Sequence, residues 1–272
     1  IVIISGDGLD GPKTLQSFTV SLDLDPTAVG GSYTYAQNFN TDPGWTTGVT
    51  PDDTPPPPSP CGPFVNDFHW CPACGSGSGG YGAWVGNAAF GTSGQNYYEF
   101  FNSSTLYSPS FIANGNVSLQ FSVAYRTETT YDGAIVQYQL AGGGAWTTLA
   151  YTTPAQAATT ASSNACSPIL ASTQAWTGNE PTLWTLTNAP SVATTDGENI
   201  QFRFRLGGDA NTNGTTYGGF GVDDVTVTGL RNFVCEPTRN TVVSPCCLAP
   251  TGLTNNTAVD PNGCAATGVQ IT

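Results

Sequence analysis

The chain has 272 residues, with 6 Lys+Arg against 19 Asp+Glu and a formal net charge of −13. Binding a phosphate backbone or an anionic membrane surface needs a basic face, and this chain carries the opposite sign, so nucleic acid and anionic lipid are excluded as partners. Hydrophobic residues at 39% and aromatics at 11% also exclude a disordered chain. A cation is the favoured small partner, with Ca²⁺ first because it prefers carboxylate and carbonyl oxygens. No organic cofactor is expected.

Thr, Val, Tyr and Phe favour pleated surfaces, while Gly, Asn, Asp and Pro supply turns. No stretch sustains helical periodicity, so the pattern predicts an all-β protein. Residues 1–31 form an N-terminal extension with two strand-like runs, Ile1 to Ile4 and Ser17 to Leu22. Thirty or so residues cannot bury a core alone, so this piece is expected to pack on the main body, continue a preceding module, or pair with another chain. The main body spans residues 32–230. It opens with Tyr33 to Phe39 and Asp42-Pro43-Gly44-Trp45, followed by a proline-rich insertion and Cys61 to Gly80, which reads as a disulfide-pinned surface loop. Strands are predicted at Tyr81 to Phe90, Leu106 to Ile112, Val117 to Arg126, Ala134 to Leu140 and Trp146 to Tyr151. A second irregular stretch covers Thr152 to Glu180. Leu183 to Thr187, Asn199 to Leu206 and Phe220 to Thr228 complete the set. Residues 231–272 are a Cys-bearing connector and an incomplete β-segment.

The chain begins at Ile1 and contains no Met, which reads as a processed or excised piece. No apolar run of about 18 residues is present, so no membrane span is expected. The eight cysteines are Cys61, Cys71, Cys74, Cys166, Cys235, Cys246, Cys247 and Cys264. An even count in such a chain predicts disulfides and a secreted or cell-surface location, with about 105 pairings open.

The motifs of the main body occur in a characteristic order. Pro43-Gly44-Trp45 follows the opening strand, and Leu106-Tyr107-Ser108-Pro109-Ser110-Phe111 comes next. Leu119-Gln120-Phe121 and Tyr131-Asp132-Gly133-Ala134-Ile135-Val136 follow, with a Gly-rich turn before Trp146. Ile200 to Arg205 and Tyr217-Gly218-Gly219-Phe220-Gly221-Val222-Asp223-Asp224-Val225 close the set. In this order they resemble the MAM-like, concanavalin-type jelly-roll modules of secreted bacterial proteins and some metallopeptidases. The tail resembles the first strands of a fibronectin type III domain. The resemblance implies a jelly-roll β-sandwich, here with long disulfide-pinned loops and strand-like terminal extensions. It also implies a non-catalytic binding, adhesion or accessory role. In related jelly rolls an acidic residue on the last strand meets the opening strand around a structural Ca²⁺, which implies a site at Asp223 or Asp224 with Asn38 and Asp42. The other reading is a strand-end carboxylate bonded to backbone amides or Arg203.

Further candidates come from the residues themselves. Asp132 in Tyr131-Asp132-Gly133 reads as a turn residue. Cys61, His69, Cys71 and Cys74 have the ligand types and CxxC spacing of a zinc site, but an oxidising compartment favours disulfides. His69 is the sole histidine and lies outside any G-x-S-x-G or H-E-x-x-H context, and Glu99, Glu128, Glu180 and Glu198 lie in no glycosidase motif, so no catalytic residues are predicted. Among the tryptophans, Trp45, Trp84 and Trp146 read as core positions. Trp70 and Trp176 fall in irregular insertions and are the predicted sugar-stacking platforms. Asn102, Asn116, Asn213 and Asn255 fit the N-glycosylation triplet.

The leading expectation is a structural subunit of an extracellular surface assembly or filament, joined to other copies of itself through its terminal strands. The alternative is a carbohydrate- or protein-binding accessory module of a larger secreted protein such as a protease, with glycans or neighbouring extracellular proteins as partners.

Overall fold

The computed structural model describes residues 32–50, 63–77, 79–84, 101–140, 143–159, 169, 172–178, 184–209 and 218–231. In chain order the strands are β1 (Ser32–Gln37), β2 (Thr46–Val49), β3 (Phe68–Cys71), β4 (Gly80–Ala83), β5 (Ser103–Arg126), β6 (Gly133–Leu140) and β7 (Thr147–Leu149). They continue with β8 (Ala157–Ala158), β9 (Gln174–Ala175), β10 (Thr185–Leu186), β11 (Ser191–Val192), β12 (Asn199–Gly207) and β13 (Gly219–Arg231). No helix occurs among the described residues. Residues 1–31 and 232–272 lie outside them, as do Cys61, Cys166, Cys235, Cys246, Cys247, Cys264, Asn213 and Asn255.

Two layers are built around the long strand β5. Its first half pairs antiparallel with β2 on one side and β12 on the other, and β6 and β7 follow β12 in the same layer. Its second half pairs with β13, which in turn carries β4 and β1, while β10 and β11 lie on the other flank of β5. The crossing between layers falls near Gly115, whose φ of 80° suits glycine. The chain therefore passes repeatedly between the two sheets, and every pairing among the main strands is antiparallel. That winding is a jelly-roll β-sandwich.

The period-two alternation of β12 shows how the sequence sets the layers. Ile200, Phe202, Phe204 and Leu206 point inward to the core, while Gln201, Arg203 and Arg205 face out. Opposite them, Leu119, Phe121, Val123 and Tyr125 of β5 and Phe220 and Val222 of β13 supply the other inner face. Phe121 sits at the centre, its ring centroid 4.9 Å from Phe204, 5.6 Å from Tyr151 and 5.7 Å from Trp176, each edge to face. This geometry is favourable for aromatic quadrupoles and adds to the area buried.

Within β13 the inward spacing changes from Phe220–Val222 to Val225–Val227, because a bulge lies between Asp223 and Thr226. Asp224 adopts φ 49° there. Strict alternation would have placed the two aspartates on opposite faces. The extra residue instead keeps both carboxylates away from the inner face, Asp223 toward the turn after β3 and Asp224 toward Ser122.

Candidate functional site

The outer face of the β2–β5–β12–β6–β7 sheet carries most of the convergent polar and aromatic chemistry. Cross-strand register places Tyr107 beside Arg203, Arg203 beside Gln137, and Gln137 beside Thr148. Trp146 precedes β7 by one residue, on the same face as Thr148. Its indole lies 5.9 Å from the Tyr107 ring, and the Arg203 guanidinium sits 4.3 Å from the Trp146 ring centroid. Cation–π contact of this kind braces the indole against the sheet.

Below these rings runs a tight polar network. Arg203 Nε donates to Gln137 Oε1 at 2.7 Å, and Arg205 Nη1 donates to the same oxygen at 3.4 Å. Arg205 Nε donates to Thr50 Oγ1 at 3.1 Å, and that hydroxyl shares a short hydrogen bond with Thr105. Gln137 Nε2 donates to Thr148 Oγ1 at 3.2 Å. Arg203 and Arg205 are buried, whereas Trp146 and Tyr107 are half-buried and Thr148 is exposed. The buried layer thus fixes the geometry and the outer rings meet solvent. Trp146 departs from the core role expected for it.

Of the predicted platforms, Trp176 is fully buried. Its Nε1 donates to Pro154 O at 3.0 Å, and its ring packs on Phe121, Tyr151 and Phe220. It offers no face to a sugar, because it fills the core from a loop that folds inward. Trp70 is half-buried against the core, and its Nε1 donates to Phe39 O at 2.9 Å.

The four residues of the expected calcium site go to separate partners. Asp223 Oδ2 accepts from the Ser76 amide at 2.7 Å, and Oδ1 accepts from the Asp224 amide at 2.7 Å. Asp224 accepts from Ser122 Oγ, and Asn38 Oδ1 accepts from the Asn40 amide. Asp42 Oδ1 accepts from the Gly44 amide and from Tyr81 Oη, both at 2.8 Å. Burial first, and then the Asp42 hydrogen bond, push the Tyr81 phenol up. Asp223, Asp224 and Asp42 are not gathered within ligand reach of one another. The hydrogen-bonded reading of Asp223 thus describes what is seen, with the Ser76 and Asp224 amides as its partners. Burial, opposed by those two amide bonds, raises its carboxyl to about 6.

Among the described residues, possible metal ligands come within 4.8 Å of one another in two places. One is Glu128, Asp132 and Asp209. Asp132, expected as a turn residue, is fully buried and its Oδ1 accepts from the Asp209 amide at 2.9 Å, tying the β5–β6 turn to the end of β12. No local pattern marks that contact, since the partners lie 77 residues apart. The other is His69, Cys71 and Cys74, where the two cysteines form a disulfide. That bond occupies both sulfurs and displaces the zinc reading for the oxidised chain.

Asn102 is also buried. Its Nδ2 donates to Asp67 Oδ2 at 2.6 Å and its Oδ1 accepts from the Ser104 amide, so the nitrogen a glycan would need is enclosed. Asn116 is exposed.

No family model matches the chain, and neither does any curated protein. Among solved structures it is similar to the C-terminal CBM6 of LamC, a marine laminarinase from Zobellia galactanivorans, at 14% identity and a TM-score of 0.33 over 72% of this chain and 99% of that one. It is also similar to TmCBM61 in complex with β-1,4-galactotriose, at 11% identity and a TM-score of 0.31 over 68% and 88%. An exo-β-1,3-galactanase from Phanerochaete chrysosporium with galactose matches at 11% and 0.27, over 74% of this chain and 30% of that one. Likenesses this distant assign neither a ligand nor a binding residue to this chain. No helix among the described residues is long and apolar enough to cross a membrane.

Proposed function

We propose that this protein is a non-catalytic, extracellular glycan-binding module, and that the outer face around Trp146 and Tyr107 is its recognition surface. The observation that carries this reading is the pair of half-buried rings 5.9 Å apart, with the Arg203 guanidinium braced on the indole. Apolar faces of a pyranose pack on aromatic rings, while its hydroxyls need groups that both donate and accept. Glutamine amides and threonine hydroxyls are such groups, and Gln139, Gln201 and Thr148 share this face around the buried Gln137. The rigid layer of Arg203, Arg205, Gln137 and Thr50 lowers the ordering cost of binding, because little side-chain freedom is left to lose.

The assembly reading rests on terminal strands that lie outside the described residues, so the binding reading takes precedence. A glycan array probed with the intact chain and with Trp146→Ala tests it. The intact chain is expected to select a defined set of neutral glycans, and the variant to lose that signal while keeping its β-sheet circular dichroism. Absence of any glycan binding by the intact chain would overturn the proposal.

A further inference from the structure

The turn joining β3 to β4 holds a second constellation, on the outer face of the other sheet, that glycan binding does not use. Period two puts His69 and Cys71 on one side of β3, and the turn closes when the Cys74 amide donates to Cys71 O at 3.4 Å. One ring nitrogen of His69 and the two sulfurs all lie within 4.8 Å of one another. His69 Nδ1 lies 2.8 Å from Asp67 O. A carbonyl oxygen can only accept, so Nδ1 is the donor there, and Nε2 is the nitrogen through which the neutral ring would bind a metal. Fixing the tautomer through a backbone carbonyl is the usual arrangement around a metal-binding imidazole.

We propose that this turn is a redox-gated site for a borderline-soft divalent cation, Zn²⁺ first. In the oxidised chain both sulfurs are bonded to each other. A low-molecular-weight thiol reductant opens the bond: two thiols of the reductant join as a disulfide, and their two electrons and two protons leave Cys71 and Cys74 as thiols. Zn²⁺ then displaces those two thiol protons to solvent and is held by Cys71, Cys74 and His69, with water in the fourth position. Tetrahedral zinc–sulfur and zinc–nitrogen bonds put ligand atoms roughly 3.5–3.8 Å apart, so the two sulfurs part to that spacing once the disulfide opens, while the imidazole nitrogen, already within 4.8 Å of both, shifts little. Charge favours this cation as well. Two thiolates, a neutral imidazole and a divalent ion sum to zero, which suits a site packed against Trp84, Trp184 and Ala124.

The test uses the whole chain with Co²⁺ as the spectroscopic stand-in for Zn²⁺, titrated anaerobically before and after phosphine reduction. The expected result is sulfur-to-cobalt charge transfer and tetrahedral d–d bands in the reduced chain alone, bleached by Zn²⁺. In the reduced Cys71→Ser/Cys74→Ser chain, which keeps the other six cysteines, the bands should vanish. His69→Ala, which keeps the disulfide for folding, should weaken Co²⁺ affinity at least about tenfold after reduction. The proposal is overturned by a reduced wild-type chain without those bands, by bands that persist in the double serine variant, or by unchanged affinity in His69→Ala.

Discussion

Asp223 is a single carboxylate whose environment makes a measurable difference. Its folded-state value of about 6 lies above the ordinary carboxylate range, because burial outweighs the Ser76 and Asp224 amide bonds. The folded chain therefore holds this proton more tightly than the unfolded one. The stabilisation is fully present below the ordinary carboxylate value and is lost as pH rises through about 6. Thermal unfolding followed between pH 4 and pH 7 should show a rise in Tm on acidification from this group, and Asp223→Asn should flatten that component. An unchanged slope in the variant would assign the effect to other groups. At the same scale, Trp146→Ala removes a half-buried ring that lies outside the core cluster. Its cost in stability should stay below about 1 kcal/mol, as for most surface substitutions, while glycan affinity falls at least about tenfold. Denaturant unfolding and calorimetric titration separate the two effects.

At the scale of elements, the alternation in Ile200 to Arg205 was legible in the sequence, and it specifies β12 with an apolar inner face and a Gln201–Arg203–Arg205 outer face. The same alternation could have pointed to the candidate site, since arginines at consecutive outward positions among so few cations are unusual. The signal was incomplete because Tyr107, Gln137 and Trp146 come from three other segments, and only cross-strand register brings them to Arg203. The bulge at Asp223–Asp224 was not legible either: an extra residue in one strand is defined by its partner, Ser122 to Gln120 in β5. Trp176 misled for a related reason. Its surroundings are irregular, yet the loop turns its ring into the core. Glycine placement offers a test of register. Gly229 has φ 77°, and a Cβ there would collide with Asn116 O at the point where β5 crosses between layers. Gly229→Ala should destabilise the fold by about 1–3 kcal/mol through strain and displaced backbone, measured by chemical denaturation.

For the molecule as a whole, the two sheets divide the work. Their inner faces form one aromatic core, so Phe121→Ala, which removes the ring shared by Tyr151, Trp176 and Phe204, should cost about 3–5 kcal/mol and lower Tm without altering the ligand spectrum of what remains folded. Their outer faces differ. One carries the Cys71–Cys74 turn and Asp223, the other the Trp146–Tyr107 surface. The all-β jelly roll could be read from composition and motif order because strand periodicity and turn residues are local properties. Which outer face carries the proposed recognition surface could not, because it depends on the side chains that two layers leave uncovered. The sharpest comparison is between Trp146 and Trp70, the half-buried platform that the sequence alone would favour. Isothermal titration of one array-selected glycan into wild type, Trp146→Ala and Trp70→Ala decides between them. Trp146→Ala is expected to lose at least about tenfold in affinity, while Trp70→Ala stays within about twofold of wild type. Full affinity in Trp146→Ala with loss in Trp70→Ala would contradict the assignment of the binding surface to Trp146 and Tyr107.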